Sequence, residues 1–267
     1  NEKKSAKSEI ECLIKKKDTG QNTNGNDNAV QPANSISDLL PKGDLSTIEF
    51  ISHELKGILG STIMCVYAIR NGLLGMLNFK QRASIEATIR NLRRLESTIK
   101  DFLDLSRIED GQLKNRLVPF NVNNDVIKEV EDAFISEIYE SRMLLENNIA
   151  PDYVITTDRN LLLTVFNNLV SNAIKYGLPG GKIIIHSKEV KNKTRFSVYN
   201  DGIPISAVEK EKLFKKFSRL ESEHNKNIKG TGLGLFITKS IIKALGGDIW
   251  VEPGEKGNTF IFEIGRN

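Results

Sequence analysis

Between Ile48 and Met76, apolar or small residues recur at spacings of three and four without a break: Ile48, Ile51, Leu55, Ile58, Thr62, Cys65, Ile69, Gly72 and Met76. Such a repeat predicts a heptad seam along one long helix, narrower than the stripe of a lone surface helix. A second seam runs through Ile85, Ile89, Leu92, Leu95, Ile99, Phe102 and Leu103. Ser46 with Glu49, and Asn78 with Gln81, have the spacing of reciprocal caps at the two helix starts. Joined near Gly75 to Asn78, the pair predicts an antiparallel hairpin. A hairpin by itself leaves its seam uncovered, so a four-helix bundle made by two copies is the economical solution.

Past Gly111, which follows SRIED as a helix stop, the periodicity changes. Leu117–Asn121 reads as a strand, Val122–Arg142 as an amphipathic helix, and Met143–Ile149 and Tyr153–Thr156 as short strands. Asp158 caps a helix that runs through Tyr176 and ends at Gly177. Lys182–Glu189 and Arg195–Tyr199 read as paired strands around the turn-prone KNKT. A polar stretch from Asn200 to Lys229 precedes a helix over Gly232–Leu245, and strands over Asp248–Val251 and Thr259–Glu263 close the chain. Helices on one face of a mixed sheet, an α+β sandwich, is the expected architecture.

Before the first seam, residues 18–43 are rich in Asn, Gly, Asp, Ser and Pro and poor in large apolar groups, and read as a flexible linker. Ser8–Lys17 reads as a short helix at the end of an upstream coiled coil. The expected organisation is thus a flexible segment over 1–44, the helical hairpin over 45–111 and the sandwich over 112–267. The first residue is Asn, so a fragment of a longer protein, with a sensor module upstream, is expected.

Composition narrows the function. Lys plus Arg total 38 against 34 Asp plus Glu, a net charge of +4 with the signs interspersed, which argues against a nucleic-acid surface. Lys15, Lys16 and Lys17 read as a solvated tail. Two cysteines, Cys12 and Cys65, make neither a disulfide framework nor a metal-ligand spacing, and a cytoplasmic setting fits this portion. No apolar run approaches the length of a membrane span, and membrane anchoring of the full-length protein stays open.

His53, one of only three histidines, falls at heptad position f when Ile48 is a, facing away from the seam, which argues against a satisfied core histidine. A neutral, exposed imidazole is a nitrogen nucleophile, and Glu54 stands beside it. In FNNLVSNAIKYG, Asn168 and Asn172 share a helix face with Lys175 and Tyr176 close behind; amide oxygens suit Mg²⁺, a lysine suits phosphate and a ring can cover a nucleobase. The alternative, a polar solvent face, has against it two Asn in a helix interior. KGTGLGL sets Gly230, Gly232 and Gly234 at alternate positions ahead of a helix, where backbone amides can approach phosphate, but it fits neither a Walker loop nor a dinucleotide fingerprint. YNDGIPI places a turn at Gly202 and Pro204 after a strand.

Together these motifs resemble those of sensor histidine kinases of two-component signalling: SHELK the histidine box, NNLVSNAIKYG the asparagine box, NDGIPI and GTGLGL two glycine boxes, and LFKKFSRL the phenylalanine box. The resemblance covers residues 45–267 in the family's order. It implies a multidomain chain, a dimeric phosphoacceptor hairpin followed by an ATP-binding domain of the gyrase, chaperone and histidine-kinase superfamily. It further implies autophosphorylation of His53 from ATP and Mg²⁺, polarised by Glu54, and transfer to an aspartate of a response regulator. Asn168 and Asn172 would hold Mg²⁺, Lys175 the phosphates and Tyr176 the adenine; Arg219 would approach the γ-phosphate. Gly230, Thr231, Gly232, Leu233, Gly234 and Leu235 would form the hinge and cradle of a lid that includes His224, for which, as for His186, a structural role is expected.

Two positions depart from the family pattern. Where an aspartate usually accepts from the adenine amino group stands Asn200, followed by Asp201 and Gly202, with Pro204 in place of the second glycine. Four residues after His53, where Thr or Asn is common and Pro follows, stand Gly57 and Ile58, which predicts little phosphatase activity. These departures keep a degenerate, non-catalytic dimeric scaffold as the alternative.

Overall fold

The structure, a computed structural model, describes residues 45–109, 111, 115–219 and 230–265. The linker expected over 18–43, the helix expected over Ser8–Lys17, and the side chains of residues 45–52, including the cap pair Ser46 and Glu49, lie outside the described residues. The chain divides into two compact units, Asn1–Ser97 and Thr98–Asn267.

Two helices make up the described part of the first unit, α1 (Leu45–Arg70) and α2 (Phe79–Glu109), and α2 continues into the second. The start of α2 is a reciprocal cap, since the Asn78 amide donates to Gln81 Oε1 at 2.9 Å and the Gln81 amide to Asn78 Oδ1 at 2.9 Å. α1 stops at Arg70, short of the last seam positions Gly72 and Met76, and the turn that follows has positive φ at Gly72 and Gly75. Arg93 donates to the Tyr67 hydroxyl and Arg70 pairs with Glu86 at 3.9 Å, contacts that climb one helix as they descend the other. Leu59, Ala68 and Ile89 are buried, but the seam residues Leu55, Ile58 and Leu95 face solvent, Ile58 being 62% exposed.

The second unit is built on a five-stranded mixed sheet of β2 (Leu144–Asn148), β4 (Lys182–Val190), β5 (Lys193–Asp201), β7 (Gly257–Gly265) and β6 (Asp248–Pro253), in that spatial order. β2 and β4 run parallel and the other neighbours antiparallel. β1 (Val118–Asn121) and β3 (Val154–Thr157) form a separate antiparallel pair. Along β5, Thr194, Phe196, Val198 and Asn200 are buried and their neighbours less so, the alternation of a strand with one covered face. The cover is α3 (Lys128–Ser141), α4 (Arg159–Tyr176) and α6 (Gly234–Ala244), with the four-residue α5 (Ala207–Lys210) in the polar stretch. Phe166 on α4 meets Phe196 and Phe262 edge-on, with centroids 5.5 and 5.6 Å away, and locks the helix layer to the sheet.

The helix expected over Val122–Arg142 is helical from Val122 through Ser141, but it opens with a wider, π-type turn over Asn123–Ile127 before α3. Its polar side chains bind backbone directly: Asn123 Nδ2 donates to the Ile149 and Ala150 carbonyls, and Asp125 accepts from the Asn121 amide. Such local bonds compete with regular helical geometry. Leu105 of α2 joins the core of this unit and Ile108 packs against it, so the compact units are not bounded where the helical pattern ends.

Candidate active site

Asp158 starts α4 by accepting from the Asn160 and Leu161 amides, and its other oxygen takes the Arg116 amide at 2.8 Å. That cap sets the register in which Asn168 and Asn172 follow one another by a turn on the side of α6. Asn168 Nδ2 donates to the Gly234 carbonyl and to Thr238 Oγ1, both at 3.2 Å. The donors of this amide are thereby committed, and its oxygen is the atom left for a ligand, close beside Gly234. A hard cation prefers such an oxygen, so the Asn168 carboxamide, with Asn172 a turn further along the helix, would suit Mg²⁺. Among the described residues no three His, Cys, Asp or Glu side chains lie close enough to hold a metal by themselves.

Much of Lys175 reaches solvent, yet its ammonium end is packed closely enough for burial to lower it below the ordinary lysine value, an effect partly offset by the Asp101 carboxylate. Burial raises the Tyr176 phenol, and the Arg219 guanidinium acts against the rise, which puts Arg219 in electrostatic reach of the ring.

α4 ends against the turn after β5. Gly177 bridges Gly202, and the Leu178 amide donates to the Asp201 carbonyl at 2.9 Å. Side chains have no room here: a Cβ on Gly177 would lie 2.4 Å from the carbonyl oxygen of Ala173 on its own helix and 3.3 Å from that of Asp201, and one on Gly257, on the neighbouring strand, 2.0 Å from that of Asn200. Asn200 is buried on the covered face, and its Nδ2 donates to the Asp201 carbonyl at 3.1 Å. Asp201 belongs to the opposite alternation, where its carboxylate accepts from the Tyr199 hydroxyl at 2.6 Å and the Lys182 amide at 2.7 Å, and is held below the usual carboxylate range by both.

The three glycines of GTGLGL do different things. Gly232 has φ +72, and a Cβ there would come within 2.8 Å of the Phe217 backbone, so this glycine joins the segment to LFKKFSRL. Gly230 has open space, and Gly234 starts α6 without a side-chain N-cap, leaving early amides of that helix for an anion. Leu233 is buried and Leu235 packs against the core. Thr231 Oγ1 accepts from the Leu233 amide and donates to Asp101 Oδ2 at 2.7 Å.

His53 and Glu54 are both exposed on α1 and belong to the first unit, whereas every other expected site residue belongs to the second. His186 is exposed on β4, and His224 lies outside the described residues. Pattern reading missed Asp101, Thr238 and Asn258: one is an ordinary surface acid in a heptad, one a threonine a turn beyond Gly234, and one a polar residue inside an apolar strand. Only the last, a buried polar break in alternation, carries a signal of its own.

Residues 157–267 match the family described as the histidine kinase-, DNA gyrase B- and HSP90-like ATPases. The chain is 32% identical over 219 residues to the circadian input-output histidine kinase CikA of Synechococcus elongatus, covering 79% of this chain and 28% of that protein. It is 37% identical to the catalytic domain of the histidine kinase ThkA, with a TM-score of 0.51 over 57% of this chain and 96% of that domain. ThkA in complex with the response regulator protein TrrA aligns at 28% identity and a TM-score of 0.54, covering 84% of this chain and 64% of that one. Full-length ShkA in complex with AMPPNP shares the fold at 22% identity and a TM-score of 0.65, covering 83% of this chain and 46% of that one. The chain thus spans about a quarter of CikA, and the shared stretch includes helices and ATPase sheet alike. With nearly a whole catalytic domain matched at that identity, this chain belongs to the sensor histidine kinases.

Proposed function

We propose that the chain is the dimerising and catalytic core of an active protein-histidine kinase, which phosphorylates His53 from MgATP and passes the phosphoryl group to an aspartate of a response regulator. The observation that carries the reading is the tie between Asn168 and α6, because it leaves one amide oxygen beside Gly234 at the uncapped start of that helix. ATP as ligand is supported by the ATPase family match and by the AMPPNP held by ShkA.

In this reading Asn200 takes the adenine. Its Nδ2 is engaged by the Asp201 carbonyl, so its oxygen accepts from the exocyclic amino group, a position where guanine offers only an acceptor. Tyr176 covers the base, Lys175 and the amides at the start of α6 hold the phosphates, and Arg219 meets the γ-phosphate. Mg²⁺ on Asn168 and Asn172 supplies positive charge that offsets the charge developing on the phosphate oxygens. A ring nitrogen of His53 forms the N–P bond while the bond from phosphorus to the β-phosphate oxygen breaks and ADP leaves. The proton on the opposite ring nitrogen passes toward Glu54, whose carboxylate orients the ring. In the second step an aspartate oxygen of the regulator attacks the same phosphorus, the N–P bond breaks, and the imidazole is restored. ThkA bound to TrrA supports a receiver domain as partner, and the solvent-facing Leu55, Ile58 and Leu95 support a second copy of this chain.

Asn200 and Pro204 favour one other reading, a non-catalytic dimeric scaffold. Incubation with labelled MgATP and mapping of the label separates the two. Acid-labile, alkali-stable label on His53, absent from His53→Gln and slowed but not abolished in Glu54→Ala, is expected. Label elsewhere, or none with a nucleotide-free protein, favours the scaffold.

A further inference from the structure

Pro204 stands where the family pattern has a glycine, and the structure shows what the turn gains in exchange. Proline has no amide, so the backbone around it has one donor fewer for holding the turn in place. The two groups flanking Pro204 are both taken by a single side chain: Asn258 Oδ1 accepts from the Ile205 amide at 2.8 Å, and Asn258 Nδ2 donates to the Ile203 carbonyl at 2.8 Å. The carboxamide thus serves Ile203 and Ile205 as the peptide of a neighbouring strand would, one acceptor and one donor, and spans the proline between them. Asn258 is 5% exposed, so its polar atoms are not waiting for water.

Its place in the sheet ties this brace to the candidate base site. On β7, Asn258 is the register partner of Asn200 on β5, and directly opposed antiparallel residues project from the same face. Next to it, Gly257 lets β7 approach the Asn200 carbonyl more closely than any side chain allows, and the Gly202 amide donates to the Lys256 carbonyl at 3.0 Å. The turn that follows Asn200 is therefore fastened at two points, through backbone to Lys256 just ahead of β7 and through the Asn258 side chain on it.

We propose that Asn258 is a positioning residue for the nucleobase: by clamping Ile203 and Ile205 beside Asn200, it holds the Asn200 oxygen in line with the adenine amino group and so sets the preference for ATP over GTP. The proposal rests on the ATP-site reading above. Asn258 touches no nucleotide in this account and acts only through the turn.

Titration calorimetry with MgATP and with MgGTP, on wild type, Asn258→Ala and Asn258→Ser, tests it. Wild type should bind ATP more tightly than GTP. Asn258→Ala should lose about tenfold in ATP affinity, the scale of one misaligned hydrogen bond between Asn200 and the adenine amino group, with GTP affinity changed less than twofold, so that the preference shrinks. Asn258→Ser keeps one hydroxyl, cannot span both partners and should fall between the two; if Asn258→Ala does not fold, the serine variant decides. Equal loss of both nucleotides would mark a merely structural brace and overturn the proposal, as would unchanged ATP affinity or a wild type indifferent to the base. A wild type that binds neither nucleotide overturns the ATP-site reading itself, and with it this one.

Discussion

Gly57 lies inside α1, is exposed, and has nothing within 4 Å of the place a Cβ would occupy. It therefore weakens the helix without any packing return, and Gly57→Ala should raise the unfolding free energy by about 1 kcal/mol, read from urea or thermal melts. It also sits one turn beyond His53 on the same face and offers neither donor nor acceptor to a water there. In the proposed kinase, Gly57→Thr should gain release of phosphate from a phosphorylated regulator in the presence of ADP; a native protein already far above the regulator's intrinsic rate would contradict this. Gly232 is the opposite case, since left-handed φ and the Phe217 backbone both exclude a Cβ. Gly232→Ala should abolish MgATP binding to a degree that Gly230→Ala, in open space, does not, as calorimetry on the two variants would read.

At the scale of elements, the last turns of α2 matter more than their heptad suggests. Asp101 reaches Thr231 in the glycine segment and faces the Lys175 ammonium, and Glu109 pairs with Lys216 beside the phenylalanine segment. A phosphate chain at Lys175 and Thr231 would meet the Asp101 carboxylate, so Asp101→Asn should raise MgATP affinity, by roughly threefold or more. Burial raises the Asp101 carboxyl above its ordinary value of 3.8, opposed by the Thr231 hydroxyl, Lys175 and Lys100. A raised folded value means the folded chain holds the proton more tightly. The contribution to stability is then fully present below the unfolded value and lost as pH rises through the folded one. The stability of wild type minus that of Asp101→Asn should accordingly be smaller at about pH 7 than at about pH 4. Urea unfolding at both values checks it, and a difference that grows with pH would reverse the sign.

For the whole molecule, the apolar seam of the first unit and the core of the second pose different requirements. The second unit closes its own core: Phe166, Phe196 and Phe262 are fully buried, and Phe166→Ala should destabilise that unit by about 3–5 kcal/mol in chemical unfolding. The helices instead leave Leu55, Ile58 and Leu95 facing solvent in the single chain. If a second copy covers them, Ile58→Asp should convert a dimer into a monomer in sedimentation equilibrium while leaving nucleotide binding by the second unit intact. A wild type that is monomeric at high concentration would exclude the bundle.

The sequence by itself determined the features that depend on neighbours along the chain: the α2 cap at Asn78 and Gln81, the cap at Asp158, the alternation that buries Asn200 and turns Asp201 away, and the exposure of His53 at its heptad position. These follow from periods of 2 and about 3.6 and from caps a few residues long. Only the tertiary structure decided which distant groups meet. Nothing local distinguishes Asp101 from other acids on α2, commits the Asn168 donors to Gly234 and Thr238, or sets Asn258 astride Pro204, because each pairing joins residues more than 50 positions apart. The same holds for the glycines: three in alternation look equivalent in sequence, and only the approach of the Phe217 backbone singles out Gly232, since a Cβ is excluded by what lies across from it in space.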